Sequence, residues 1–183
     1  MQFADILGQD TAIHIIKQAI RNHHVAHAYL FSGPEGVGKR AVATAMAQFL
    51  NCSNPNLQDP DSCGHCPSCI QAKAGSQPDI LYLAPDDMGS IKIEPVRNLI
   101  SRLSLQSYES VYKIAIIDDA HTMTTEAANA LLKTLEEPAD NTVFILVSSQ
   151  FQNLPETILS RCQQVVFQPL ALPVLKELLV RLH

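Results

Sequence analysis

A chain of 183 residues, 46% of them apolar, can bury one good core, and its length leads to an expectation of one domain with at most a small appendage. Thirteen basic residues against 18 acidic ones give a formal charge of -5. That balance argues against a free-standing DNA-binding domain, because neutralising phosphates takes a dense Lys and Arg surface, so any DNA contact is expected to be shared with partners. No apolar run approaches the length that spans a bilayer, and the start, MQFADILGQD, lacks the basic beginning and apolar centre of a secretory signal; a cytoplasmic location is expected.

Apolar spacing at Ile13, Ile16, Ala19 and Ile20 predicts an amphipathic helix from Thr11 to Ile20. Ala28 to Ser32 reads as a buried strand running into a glycine loop, and Lys39 to Leu50 as the helix after it. Asn51 to Gly75, rich in Cys, Pro, Asn and Gly, suits a metal-stapled insert and not a piece of sheet. Ile80 to Leu83 then predicts a short strand, Glu94 to Leu103 a helix with Pro95 in its first turn, and Lys113 to Asp118 an apolar strand ending in two acids. Thr124 to Glu137 reads as a helix that Pro138 terminates, Val143 to Val147 and Val165 to Phe167 as strands, and Pro173 to Leu182 as a last helix. Strands alternating with helices imply an α/β fold, a parallel sheet of about five strands covered on both faces.

Gly33-Pro-Glu-Gly36-Val-Gly38-Lys39-Arg40 lies between a predicted strand and a predicted helix, the context that a phosphate-binding loop requires. The glycines let backbone N–H groups converge on phosphate oxygens, the helix N-terminus adds positive potential, and Lys39 would reach the terminal phosphates. The usual motif ends in a Ser or Thr whose hydroxyl ligates Mg²⁺, whereas Arg40 has no acceptor to offer. Its guanidinium is expected either to point outward or to pair with an acid. Ile114-Ala-Ile-Ile-Asp118-Asp119 reads as the strand whose first acid, Asp118, holds Mg²⁺ through water and whose next residue orients the attacking water. That second residue is normally Glu; Asp119 is one methylene shorter, and a misplacement of about 1 Å can cost ~10²-fold in rate. Taken alone, two acids closing a strand are commonly just solvated.

Four of the five cysteines, Cys52, Cys63, Cys66 and Cys69, fall within eighteen positions. Two overlapping C-x-x-C units plus a fourth thiolate suit tetrahedral Zn²⁺ in a closed, structural site. Chance clustering and a redox pair are the competing readings, and His65 is an alternative ligand. Cys162 reads as an ordinary buried thiol, the histidines other than His65, the His23-His24 pair and His27 among them, as surface or core residues without a ligand partner, and Asp86-Asp87 as a solvated loop.

Ala26-His-Ala-Tyr-Leu-Phe-Ser-Gly33, the four-cysteine insert, Asn129-Ala-Leu-Leu-Lys-Thr-Leu-Glu-Glu-Pro138 and Leu159-Ser-Arg-Cys162 together resemble the bacterial DNA polymerase III clamp-loader subunits of the AAA+ superfamily. The resemblance covers nearly the whole chain and implies an AAA+ P-loop core over residues 1–168, the zinc insert at about 52–75, and the start of a helical lid at 169–183, with the rest of the lid and a collar beyond. Two subunits share this architecture, the ATP-hydrolysing gamma/tau subunit and delta prime. Ser76-Gln-Pro-Asp79, Ile91-Lys-Ile93 and Asp119 look more like delta prime. The resemblance further implies a hetero-pentameric ring with gamma/tau and delta subunits, acting on the sliding clamp and primer-template DNA. It makes Arg161 an arginine finger for the ATP of a neighbouring subunit, where the residues alone would suggest an arginine capping a helix or pairing with a surface acid. Ser149 would hold the sensor 1 position, and ATP with Mg²⁺ would be the ligand of the loop, subject to the departures at Arg40 and Asp119. The alternatives are a hydrolytically active gamma/tau-like ATPase and a small P-loop kinase; nothing in the sequence supplies the acceptor-binding segment or lid that a kinase needs.

Overall fold

The computed structural model of the chain describes residues 1–105 and 110–182, without the side chains of the last two. Its frame is a five-stranded sheet in the order β2-β3-β4-β1-β5, formed by β1 (Ala28–Ser32), β2 (Ile80–Leu83), β3 (Lys113–Ile117), β4 (Thr142–Ser148) and β5 (Gln163–Val166). All four strand pairings are parallel, with Tyr29 opposite Ile145 on one side of β1 and opposite Gln163 on the other. The expectation of a parallel sheet of about five strands is met. β1, β3 and β4 are buried along their whole length, which is why they read as continuous apolar runs and not as alternation.

Successive side chains of each strand point to opposite faces, and the chain builds a separate core on each. Tyr29, Phe31, Ile114, Ile116, Ile145 and Val147 meet α1 (Asp10–Arg21) and α2 (Lys39–Leu50) on one face. Leu30, Ala115, Ile117, Phe144 and Leu146 meet α4 (Ile93–Ser104), α5 (Thr125–Glu136) and the short α6 (Glu156–Leu159) on the other. α5 starts where the Thr124 hydroxyl accepts the Ala127 N–H, an N-cap of the ordinary kind. Lys113, buried at the start of β3, donates to the carbonyl of Leu103 at 3.0 Å and so places its charge at the C-terminal end of α4.

The insert, expected to be metal-stapled and to add no strand to the sheet, also carries a helix that the sequence reading did not place. It holds α3 (Pro67–Ala74), started by Cys66 as N-cap with Pro67 in the first turn and closed by Gly75 at φ 69°, where a left-handed residue ends the helix. α7 (Leu172–Leu182) follows the sheet and exposes Leu172, Leu175, Leu179 and Val180. No helix among the described residues is long and apolar enough to cross a membrane.

Candidate functional site

Two loops leave the carboxyl ends of parallel strands and meet, as ligand sites in open α/β sheets do. The loop after β1 brings Glu35, Gly36, Gly38, Lys39 and Arg40; the end of β3 brings Asp118 and Asp119. With Ala41 and Val147 they line a cleft of about 460 Å³. Gly36 and Gly38 have φ of 72° and 100°, the left-handed backbone that turns the loop tightly onto α2. Gly33 sits against β5: a Cβ there would lie 2.4 Å from the Phe167 carbonyl oxygen. Only glycine fits at that close approach.

Lys39 is 6% exposed, and its ammonium donates to the carbonyls of Gly33 at 2.7 Å and Pro34 at 2.5 Å. Burial lowers its pKa below the ordinary value, with Asp119, Asp118 and Glu35 opposing that shift. Arg40 pairs with an acid, one of the two outcomes the sequence leaves open: its Nη1 lies 3.4 Å from Oδ2 of Asp118. The other carboxylate oxygen of Asp118 accepts the Asp119 N–H at 3.2 Å. Asp119 itself adopts φ 44°, ψ 46°, a left-handed conformation that Asp tolerates better than most residues. The Mg²⁺ expected from the resemblance does not fit this donor set, because the position after Lys39 offers no oxygen and instead places a guanidinium against Asp118, where a dication would meet like charge.

Ser149 follows β4 and donates to Glu35 at 3.2 Å, which places it on the rim of the same cleft. His121, read from the sequence only as a surface or core histidine, stands 3.3 Å from the Ser148 hydroxyl through Nδ1, and that hydroxyl also accepts the Gln150 N–H at 3.2 Å. A helical turn at 120–122 after the acids brings His121 there, and no sequence spacing announces it.

The second constellation is the four-cysteine cluster. The Sγ atoms of Cys52, Cys63, Cys66 and Cys69 all lie within 4.8 Å of one another, and those of Cys52 and Cys66 are 4.0 Å apart. Tetrahedral Zn²⁺ with Zn–S of ~2.3 Å needs sulfurs about 3.8 Å apart, so a small relaxation lets the four close on one ion. Backbone N–H groups of Cys63, Cys66 and Cys69 donate to the sulfurs of Cys52, Cys63 and Cys66 at 3.3 to 3.5 Å, a pattern that stabilises thiolates. Burial works against ionising Cys66, yet N–H donors from Ser53 and Cys69 and the neighbouring thiols bring it down to about 6. Burial pushes Cys52 up to about 12. His65 is exposed and bonded through Nδ1 to the Cys63 carbonyl at 2.8 Å, outside the cluster. The donors thus fit one Zn²⁺ in an all-thiolate, closed site that supplies structure and no open position for chemistry.

Arg161 lies far from the chain's own cleft residues in sequence and is partly exposed at the end of α6. Its Nη1 donates to the Thr157 carbonyl at 2.7 Å, and its Nη2 pairs with Glu136 at the end of α5. Both bland roles, capping a helix end and pairing with a surface acid, are therefore present in the isolated chain. Cys162 is half-buried, not fully buried as the sequence suggested, and packs beside the α4–α5 core; burial pushes its thiol up to about 12.

Comparison with known proteins bears on the whole chain. The family described as DNA polymerase III, delta subunit, matches residues 8–171. The chain is 37% identical over 162 residues to DNA polymerase III subunit tau/gamma of Haemophilus influenzae, covering 88% of this chain and 23% of that protein. It is 36% identical over 172 residues to subunit delta′ of Bacillus subtilis, covering 94% of this chain and 51% of that protein. It thus spans from about a quarter to about half the length of these relatives. Among solved structures, a DNA polymerase III gamma subunit-related protein of Thermotoga maritima matches with a TM-score of 0.68 at 23% identity, over 93% of this chain and 49% of that one. The RuvB Holliday junction branch migration motor of the same organism matches with a TM-score of 0.55 at 18% identity, over 95% and 50%. Those two likenesses are of fold, the AAA+ P-loop core that the resemblance implied. The chain belongs to the DNA polymerase III delta-subunit family of clamp-loader proteins, and it is similar to proteins of both the delta′ and the tau/gamma kind.

Proposed function

We propose that the chain acts as the delta prime subunit of the clamp loader, in a hetero-pentameric ring with gamma/tau and delta subunits that loads the sliding clamp onto primer-template DNA in the cytoplasm. Residues 1–168 form its nucleotide-binding-type domain, with the zinc insert at about 52–75, and 169–183 begin a helical lid. Its own cleft takes a nucleotide through Gly33, Gly36, Gly38 and Lys39, with Ser149 at the rim, but does not turn it over efficiently. Arg161 instead completes the ATP site of a neighbouring gamma/tau subunit, where a guanidinium supplied in trans is worth ~10³ to 10⁵ in rate. One structural Zn²⁺ on Cys52, Cys63, Cys66 and Cys69 staples the insert.

The observation that carries this reading is the ion pair between Arg40 and Asp118. The residue expected to offer a metal ligand is a cation, and it neutralises the acid that would hold the metal; Asp119 behind it is a methylene too short. A hydrolytic gamma/tau-type role has in its favour the 37% identity to tau/gamma. Steady-state ATP hydrolysis by the clamp loader rebuilt with its partner subunits separates the two. Arg161→Ala is expected to depress turnover while the ring still assembles, and Lys39→Ala to leave it nearly unchanged. The reverse pattern would establish this chain as a hydrolysing subunit and remove the arginine-donating role.

A further inference from the structure

We propose that the cleft binds a nucleoside di- or triphosphate without Mg²⁺, with the Arg40 guanidinium taking the place at Asp118 that the metal holds in hydrolysing sites. The inference rests on the reading of this cleft as a nucleotide site and adds the ionic form of the ligand. Mg²⁺ demands six oxygens in near-octahedral array at ~2.0 to 2.1 Å and gives up water reluctantly. A phosphate-loop protein ordinarily secures it by the hydroxyl after the Lys and by the acid at the end of a second strand of the sheet. Here the hydroxyl is absent and the acid is held by a cation. Arg40 carries donors only, and the Asp118 carboxylate is engaged on both oxygens, by Arg40 Nη1 at 3.4 Å and by the Asp119 N–H at 3.2 Å. A dication would have to displace the guanidinium from Asp118 and then remain beside it and Lys39.

The phosphate-binding half of the cleft is intact. Gly36 and Gly38 take the positive φ that turns successive N–H groups inward. α2 is twelve residues long and opens at Lys39, so its N-terminus faces the cleft with a full helix behind it. Lys39 already satisfies two loop carbonyls, which it can exchange for phosphate oxygens. A polyphosphate arriving without metal needs cations from the protein, and Arg40 supplies one. With Nη1 on Asp118, its remaining N–H groups can bridge to a phosphate, and Asp118 no longer repels the ligand as a bare carboxylate. Glu35 and Asp119 are the acids left facing the ligand. Glu35 is exposed and bonded to Ser149, where water screens it.

The test is calorimetric titration of the chain with ADP and with ATP, in buffer containing Mg²⁺ and in buffer containing EDTA, for the wild type and for Arg40→Thr. For the wild type the dissociation constant is expected to agree within about threefold between the two buffers. For Arg40→Thr, which restores a hydroxyl ligand and frees Asp118, Mg²⁺ is expected to tighten binding by about tenfold or more. The Arg40 side chain is 65% exposed, so the substituted chain keeps its fold, which circular dichroism checks. Wild-type binding that weakens about tenfold in EDTA would overturn the inference and leave the nucleotide site standing. Absence of heat in either buffer at ligand concentrations on the order of millimolar would overturn the nucleotide reading and the inference with it.

Discussion

Glu136 at the end of α5 holds the Arg161 guanidinium through Nη2, while Nη1 is held by the Thr157 carbonyl at 2.7 Å. The two residues lie 25 positions apart, one within Leu135-Glu136-Glu137-Pro138 and the other within Ser160-Arg161-Cys162. A partly exposed ion pair of this sort is worth ~0 to 1 kcal/mol. An arginine finger worth ~10³ to 10⁵ in rate corresponds to about 4 to 7 kcal/mol. If Arg161 serves as the proposed finger, a pair this weak would park the guanidinium without preventing its transfer to a phosphate. Glu136→Gln is expected to raise ATP turnover of the rebuilt complex by no more than roughly fivefold, the factor that about 1 kcal/mol permits. A fall of tenfold or more, with Arg161→Ala additionally showing no further loss, would mean that Glu136 orients the finger.

The insert is tied to the start of the chain by Asp61, whose carboxylate accepts the N–H groups of Phe3 at 3.1 Å, Ala4 at 3.0 Å and Ser62 at 2.8 Å. Met1 reaches Gln48 at 2.8 Å, and Gln48 reaches the Ser62 hydroxyl at 2.9 Å. Removing zinc with a chelator is expected to expose four thiols to a colorimetric thiol reagent, with Cys162 reacting last because burial keeps it protonated. Proteolysis within the first residues should accelerate at the same time. Asp61→Ala, with zinc still bound, leaves three N–H groups without their acceptor and is expected to cost about 1 to 3 kcal/mol in thermal or urea unfolding. A folded preparation with no zinc by elemental analysis, and no change on chelation, would contradict the metal assignment.

How much of this was legible depends on whether the deciding interaction is local. β1, at Ala28–Ser32, and β2, at Ile80–Leu83, coincide with their expected bounds because each is an uninterrupted apolar run, although β2, at the sheet edge, leaves Tyr82 exposed. β4 extends one residue further at each end, to Thr142 and Ser148, since ladder hydrogen bonds and burial recruit polar residues that hydropathy leaves out. β5 is displaced toward Gln163 because its edge position leaves three of its four residues exposed, so an apolar search finds Phe167 instead. α3 escaped notice because its eight residues carry almost no amphipathic stripe and its N-cap is a cysteine. At the cleft, the residue set and the phosphate-loop context could be read from spacing. The pairing of Arg40 with Asp118, 78 positions apart, and of Arg161 with Glu136 could not, because each depends on how the sheet brings distant loops together.

Tyr29 is wholly buried in the α1–α2 core, and its hydroxyl oxygen accepts the Ala26 N–H at 2.9 Å. Burial raises its pKa above the ordinary value of 10.0, with that N–H opposing. The unfolded chain then gives up this proton first as pH rises, so the native state binds more protons and stability falls. The contribution is fully present below about pH 10 and is lost as pH climbs toward the folded-state value. Denaturant unfolding measured at several alkaline pH values should show this slope, and Tyr29→Phe should reduce it by up to about 1.4 kcal/mol per pH unit. At neutral pH the same substitution strands the Ala26 N–H and is expected to cost about 1 kcal/mol. An unchanged alkaline slope would place the titrating group elsewhere.

Gly33 and Gly36 belong to one loop but answer to different constraints. At Gly33, φ is 149° and an added Cβ would stand 2.4 Å from the Phe167 carbonyl oxygen and 2.9 Å from its Cβ. Phe167 donates its N–H to the Ser32 carbonyl at 2.7 Å, directly beyond the β1–β5 pairing, so neither backbone can yield without parting the two strands. Gly33→Ala is expected to destabilise by about 3 kcal/mol, the upper end of the cost of an overpacked core. It would also displace the loop that carries Lys39. At Gly36, φ is 72° with nothing within 4 Å, so Gly36→Ala meets only the left-handed backbone cost of about 1 to 2 kcal/mol. Urea unfolding of the two variants measures the contrast, and titration with ADP measures its consequence. Gly36→Ala keeps the carbonyl contacts of Lys39 and should retain binding, whereas Gly33→Ala should lose it even at temperatures where the chain is still folded. Equal destabilisation by the two would mean that strand spacing at β5 is softer than the Phe167 contacts imply.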